Sequence, residues 1–224
     1  MRAVRYSGLI IVLIIFGMFT CSCKIVTIVP ISSDSQNSTI SSAEQGVDVS
    51  KYVDDRWSSV FAQEFSDRKG DLSAILNEVV SSGGWTAVES KYGLTKGDIG
   101  SKYNYIVYGS AIVEKVETES AAGLIDAKVD DAPPDLANVQ IAIGPVYKGT
   151  AVRDSLKSVS FSDFVNQIDY ANLAKELNKR AGADTVGKID VSSLTGKKIN
   201  FVGCFTEPQN GDSIYIIPVT LEVQ

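Results

Sequence analysis

The sequence predicts an α+β protein in which an N-terminal helical region precedes five β-strands. Apolar residues recur at helical spacing as far as residue 92, and runs rich in β-branched and aromatic residues begin near Tyr103. A helical stretch separates the third run from the fourth. This order matches an OB-like five-stranded β-barrel with a helical insertion between strands three and four. A sandwich of the same strands is the alternative.

The composition excludes several classes of site. The 224 residues are 44% hydrophobic and 21% charged, which suits a packed core, and the chain contains no histidine. Histidine-dependent catalytic triads and histidine zinc sites are therefore excluded, and we expect no metal and no cofactor. The formal charge is −6. Nucleic-acid binding needs a basic stripe, which this sequence lacks, so we expect no nucleic-acid partner.

Residues 1–22 are predicted to be a lipoprotein signal peptide. Arg2 and Arg5 precede an apolar run of eleven residues, and small residues and cysteines follow. A bilayer span needs roughly 20 apolar residues, so an uncleaved anchor helix is the weaker alternative. The segment Thr20–Cys23 resembles the lipobox of bacterial lipoproteins, which predicts acylation of Cys23, including palmitate, with Cys21 as the other candidate.

Residues 23–50 are predicted to be the lipidated cysteine and a flexible tether. Residues 31–50 are rich in Ser, Asp, Asn and Gln and show no apolar periodicity. A flexible segment of that length has a reach of roughly 25 Å. The alternative interpretation is that residues 31–50 belong to the folded domain. The lipid would attach the mature chain, with 19 basic and 27 acidic residues, to the membrane.

Residues 51–100 are predicted to form the helical region. Asp54 and Asp55 mark the expected start of a first helix, whose apolar face comprises Trp57, Val60, Phe61 and Phe65. Asp71 is the expected cap of a second helix that ends near Gly83 and has the apolar stripe Leu72, Ile75, Leu76 and Val79. A third short helix is expected at Trp85, Val88 and Tyr92.

Residues 101–224 are predicted to form the barrel domain. The expected strands comprise 105–117, 124–129, an alternating run at Val139, Ile141 and Ile143, and finally 198–206 and 213–223. Asn210-Gly211 is a turn signal between the last two strands, and Pro218 indicates an edge or a bulge. Cys204 lies in an apolar run and is expected to act as a small hydrophobic residue.

The insertion is predicted to be helical from Ser160 to Arg180, in two pieces. Ser160 or Ser162 is the expected cap of the first piece, and Asp169 the expected start of the second, which ends before Gly182. Its apolar face comprises Tyr170, Leu173, Ala174 and Leu177. The acidic segment 130–135 lacks the spacing of an EF-hand and is predicted to be a solvated turn.

Several segments resemble one protein family. They are Cys23–Val26, Tyr52–Asp54 with Trp57, 143–154 (IGPVYKGTAVRD), 161–172 (FSDFVNQIDYAN) and Ile217–Val219. Together they are similar to the DUF2291 family of predicted periplasmic lipoproteins. The resemblance favours Cys23 over Cys21 as the acylated residue and implies a bacterial envelope location facing the periplasm. It implies no known activity, and it suggests ABC transporter subunits of the sugar type as partners.

One polar cluster is a candidate ligand site. Arg, Asn and Asp side chains can bind hydroxyls while an aromatic ring stacks on a sugar or polyol. The candidates are Lys148, Arg153, Asp154, Asp163, Asn166 and Tyr170. The alternative is structural: Arg153 pairs with a carboxylate, and helix ends are capped by Ser160, Asp163 and Asp169.

These observations predict a membrane-anchored lipoprotein that is not an enzyme. We expect an accessory or binding module of a sugar-type ABC transport system. A stand-alone binder of a sugar or polyol is the alternative. A carboxylate-dependent hydrolase is a weaker one, because no pair among the many Asp and Glu residues is singled out.

Overall fold

The computed structural model describes residues 46–94, 102–209 and 212–224. The predicted signal peptide, Cys23, the tether up to residue 45 and the Asn210-Gly211 turn lie outside the described residues. Within the described ranges, no helix has the length and apolar character needed to cross a membrane.

A closed five-stranded barrel forms the centre of the protein. A two-residue strand β1 (Gly70–Asp71) runs parallel to β2, and the barrel strands are β2 (Asn104–Glu117), β3 (Ala122–Val129), β4 (Asn138–Pro145), β5 (Lys198–Thr206) and β6 (Ile214–Val223). The barrel order is β2-β3-β4-β6-β5, and β5 pairs back onto β2. Only the β4–β6 pair is parallel among the barrel strands. The predicted OB-like barrel is confirmed, and its closure replaces the sandwich alternative.

The first helical segment begins earlier than predicted. It comprises α1 (Val49–Arg56), a π-helical turn (Trp57–Phe61) and α2 (Ala62–Asp67). The prediction of a start at Asp54-Asp55 was wrong because Asp48 caps α1 by accepting the Lys51 N–H at 3.0 Å. Val49 and Ser50, which were assigned to the tether, therefore belong to this helix.

The π-helical turn explains which aromatic residues face the core. Trp57, Phe61 and Phe65 are buried, whereas Val60 is exposed, contrary to the predicted apolar face. The three buried aromatics are four residues apart, a spacing that drifts around an α-helix of 3.6 residues per turn. A wider π turn compensates for that drift and keeps the three rings on one side.

The second and third helices are confirmed. In α3 (Leu72–Ser82) the Asp71 carboxylate accepts the Ala74 N–H at 3.1 Å, and the predicted stripe is buried. Gly83 ends α3 with φ 81°, a left-handed conformation that favours glycine. The short helix α4 (Thr86–Tyr92) follows.

The insertion contains more helices than predicted. It comprises α5 (Ala151–Ser155), a 3-10 turn (Phe161–Asp163), α6 (Gln167–Asp184) and two 3-10 turns (Val186–Lys188 and Val191–Ser193). Ser160 caps the first predicted piece through a reciprocal capping box with Asp163, as expected.

Both predicted ends of α6 were wrong. The helix begins at Gln167 because the Asn166 side chain accepts the Asp169 N–H at 2.9 Å, so Asp169 lies in the first turn. Gly182 does not end the helix but is buried within it. A Cβ at Gly182 would overlap the Tyr147 ring, so glycine is required there by close packing and not by a turn.

The barrel separates two apolar cores. Inward-facing residues, among them Val139, Ile141 and Ile143, form the first core together with α3. Residues on the outer face, among them Ala142 and Cys204, form a second core beneath α1, α5 and α6. Burial raises the pKa of the Cys204 thiol to about 12, which agrees with its predicted role as a small hydrophobic residue. A register shift opposite Pro218 confirms the predicted bulge.

Candidate functional site

Three of the predicted site residues meet where α5 contacts α6. Arg153 Nε donates to Asp154 Oδ1 at 2.7 Å, and these side chains are only 13% and 15% exposed. Arg153 Nη1 also donates to the Tyr170 carbonyl at 3.1 Å, while its guanidinium lies 4.0 Å from the centre of the Tyr170 ring. Asp154 Oδ2 accepts the Thr150 hydroxyl at 2.5 Å. These contacts join the two helices.

The other predicted residues have separate roles. Asp163 Oδ2 accepts the Ser160 N–H at 2.9 Å, and Asn166 caps α6, so both hold helix ends. Lys148 is exposed in the loop before α5, where its backbone N–H donates to the Tyr215 hydroxyl at 3.1 Å. The structure thus brings Arg153, Asp154 and Tyr170 together. A ligand site at this cluster stays a prediction.

A polar cleft that shares no residue with this cluster was not predicted from the sequence. It has a volume of about 700 Å³ and is lined by side chains from β2, β5, β6, the start of α3 and the loop after β3. We call it the Tyr108 cleft, since Tyr108 is 41% exposed there. Its other polar lining residues include Lys69, Asp71, Asp131, Lys198, Asn200 and Glu222.

The charges around Tyr108 are fixed by local hydrogen bonds. Burial alone would raise the pKa of Asp71, but the Ala74 N–H and the Ser73 hydroxyl, which donates at 2.8 Å, hold this pKa below its ordinary value. The Asp71 charge in turn raises the pKa of the Tyr108 hydroxyl. At neutral pH the cleft therefore presents an ionised Asp71 beside a neutral phenol, and the Lys69 ammonium lies 5.8 Å from the ring centre.

A second, more apolar cleft adjoins the Tyr108 cleft. It has a volume of about 560 Å³, and Trp57 and Phe65 contribute to its lining. The two clefts share Lys69, Val202 and Thr220 as lining residues. Together they offer hydroxyl-binding groups at one end and a mainly apolar lining at the other.

The acidic loop provides rim charges for the Tyr108 cleft. Asp130 Oδ2 accepts from Lys198 Nζ at 2.8 Å, which connects the loop after β3 to the start of β5.

Across residues 46–94, 102–209 and 212–224, no group of three or more acidic or cysteine side chains is arranged to hold a metal ion.

Sequence reasoning missed the Tyr108 cleft because its lining is spread over distant segments. A signal was nevertheless present in β2. Tyr105 and Val107 are buried on the inner face, so Tyr108 belongs to the opposite face of the strand, where an aromatic residue stays exposed. Which other side chains meet Tyr108 depends on the register of β2 with β5, which one sequence does not specify.

Comparison with known proteins identifies a family and a fold. A family model described as "Predicted periplasmic lipoprotein (DUF2291)" matches residues 13–222. A crystal structure of an OB-fold protein from Thermotoga maritima superposes with a TM-score of 0.62 at 19% sequence identity, covering 80% of this chain and 100% of that chain. This likeness shows the fold alone. No functionally curated protein matched the chain.

Proposed function

Since the chain belongs to the DUF2291 family of predicted periplasmic lipoproteins, we propose that it is a lipid-anchored, non-catalytic binding module of a sugar-type ABC transport system. In this proposal acylated Cys23 holds the barrel at the membrane, facing the periplasm. The transporter subunits are the macromolecular partners, and a sugar or polyol is the small-molecule ligand.

The Tyr108 cleft is the observation that carries the binding role. Sugars and polyols present many hydroxyls around an apolar face, and they are bound by polar side chains beside an exposed aromatic ring. Tyr108 supplies such a ring, and Asp71 and Asn200 supply hydroxyl partners of different character. Because lysines and carboxylates both line the cleft, its charge suits a neutral ligand better than a strongly charged one.

A melting-shift screen tests this site. We expect at least one member of a panel of pentoses, hexoses and inositol to raise the melting temperature of the full chain, and Tyr108→Ala to remove that shift. A ligand at 100 times its Kd stabilises a protein by about 2.7 kcal/mol, which is readily measured. Phe161→Ala is the matched control, because it removes an exposed aromatic residue outside the cleft.

Two results would assign the ligand to another site or contradict ligand binding altogether. If Tyr108→Ala keeps the shift while Lys148→Ala loses it, the ligand binds at the cluster predicted from the sequence. If the panel produces no shift, the sugar-binding part of the proposal fails. The transporter role is then decided by crosslinking alone.

In-cell crosslinking tests the transporter role. We expect the full-length lipoprotein to capture permease or solute-binding subunits, and Cys23→Ala, which cannot be acylated at that position, to lose them. The reason is that the lipid confines the barrel to the membrane that holds the permease. Recovery of no transporter subunit from either form would favour the alternative, a stand-alone sugar or polyol binder that uses the Tyr108 cleft.

A further inference from the structure

Three exposed apolar side chains lie within eight residues before and at the start of α6. Phe161, Val165 and Ile168 are 54%, 46% and 72% exposed, respectively. We call these three residues the apolar patch. Large apolar side chains that are exposed singly are common, whereas three in one short segment indicate a contact surface.

The segment that carries the apolar patch is fixed to the body of the protein. Phe164 is buried, and its ring centre lies 5.2 Å from that of Tyr52 and 5.7 Å from that of Tyr170. The Phe161 ring contacts the Tyr170 ring edge-on at 5.4 Å. Packing of Phe164 therefore holds its neighbours in place while Val165 and Ile168 face outward.

The apolar patch lies where the N-terminal part of the chain joins the domain. A Cβ built on Gly46 would lie 2.7 Å from Asp169 Oδ2, so Gly46 passes directly against the first turn of α6. Farther along, the Ser50 hydroxyl donates to Glu176 Oε1 at 3.4 Å, which continues the contact between α1 and α6. Residue 46 is only 23 positions from the predicted lipid anchor at Cys23.

We propose that the apolar patch is a second membrane contact, which inserts into the headgroup and acyl-chain boundary of the leaflet that holds the lipid. This inference rests on the proposed lipid anchor at Cys23. A connection of about 23 residues gives the patch an effective concentration at the bilayer on the order of millimolar. Insertion of three side chains would bind a free protein to the bilayer only weakly. It is sufficient to keep an already anchored protein in contact with the bilayer.

Neighbouring charges indicate which lipids suit the apolar patch. Asp163 and Asp169 lie within the same segment, and Asp48 caps the adjacent α1. Anionic lipids would be repelled by these carboxylates, so insertion depends on apolar burial and not on electrostatic attraction. The contact should therefore form on zwitterionic phosphatidylcholine and gain nothing from added phosphatidylglycerol.

An environment-sensitive fluorophore at one of two matched valines tests the proposal. The acylated full chain, as Val165→Cys or Val80→Cys, is labelled and reconstituted in phosphatidylcholine vesicles that contain a nitroxide-bearing lipid. Val80 is 47% exposed on α3, nearly the same as Val165 at 46%, so the two positions differ in place and not in accessibility. Labelling stays selective because Cys204 is buried and burial raises its pKa to about 12.

We expect emission from position 165 to shift to shorter wavelength and to be quenched by the nitroxide lipid, with neither effect at position 80. Ile168→Asp in the Val165→Cys background should abolish both effects. Ile168 is exposed in the first turn of α6, where an acidic residue favours the helix, so this substitution preserves the fold.

Three other results would overturn the proposal. Equal signals at positions 165 and 80 would show that the patch makes no lipid contact beyond that of an unrelated exposed position. Shielding of position 165 from aqueous iodide without quenching by the nitroxide lipid would assign the patch to a protein contact, either residues 24–45 or another chain. Failure of the wild-type chain to float with the vesicles would overturn the lipid anchor on which the proposal rests. Flotation is measured separately from fluorescence, so this result is distinguishable from the other two.

Discussion

Replacing Phe205 by alanine is expected to lower the free energy of unfolding by about 3–5 kcal/mol, the range for removing a buried phenylalanine. Phe205 is fully buried, and its ring stacks on Tyr105 with the two centres 5.0 Å apart. Trp85 packs edge-on against the same ring at 5.8 Å. Because Phe205 lies opposite Tyr105 in the register that joins β5 to β2, the cavity would open at the seam of the barrel.

Urea unfolding followed by tryptophan fluorescence measures this effect, since Trp85 reports directly on the seam. Ile168→Ala is the control, because that side chain is 72% exposed and its loss should change stability by less than about 0.5 kcal/mol. A loss below about 1 kcal/mol for Phe205→Ala would mean that the seam repacks without this ring, contrary to the close packing of protein interiors.

Replacing Arg153 by alanine is expected to cost about 2–3 kcal/mol of stability. The change leaves the Asp154 carboxylate largely buried without its ion-pair partner, which is costly even where the intact pair contributes little. The bond to the Tyr170 carbonyl and the contact with the Tyr170 ring are lost as well. Arg153→Lys should recover only part of the loss, because lysine keeps the charge but lacks the planar guanidinium.

Lys148→Ala is the comparison for Arg153→Ala, since both residues belong to the cluster predicted from the sequence and Lys148 is exposed. Its stability should stay within about 0.5 kcal/mol of wild type. Thermal and urea unfolding without ligand measure both variants. If Arg153→Ala keeps its stability and instead loses a sugar-induced melting shift, Arg153 is a ligand-binding residue and the structural interpretation is wrong.

The parts of the fold that were predicted correctly depend on local signals. In α3 an Asp cap, an apolar stripe and a terminal glycine all indicate the same helix, and the structure has it at Leu72–Ser82. The strand β5 has the predicted bounds, Lys198–Thr206, because the segment is rich in apolar residues and a turn signal follows it. The OB-like fold class was predicted from the order of helices and strands along the chain, whereas the order of the strands within the sheet was not predicted.

The errors arise where tertiary contacts decide local structure. A π turn at Trp57–Phe61 serves the packing of three rings, which no residue preference reveals. Gly182 resembles a helix end in sequence, but it accommodates Tyr147 across the space between α6 and the loop after β4. The Tyr108 cleft combines residues more than 100 positions apart, such as Asp71 and Asn200. These residues become neighbours only through the pairing of the strands.

The pairing of β5 with β2 also constrains the order of folding during export. Ile106 lies opposite Cys204, so the seam joins residues 98 positions apart, and contacts of such separation form slowly. A chain that enters the periplasm from its N-terminus delivers β2, β3 and β4 well before β5, and until then the unpaired edge of β2 is open to other chains. The Cys204 thiol arrives with β5 and is accessible to periplasmic oxidants from then until the seam closes. Closure of the seam therefore ends two hazards at once, strand-mediated aggregation and thiol oxidation.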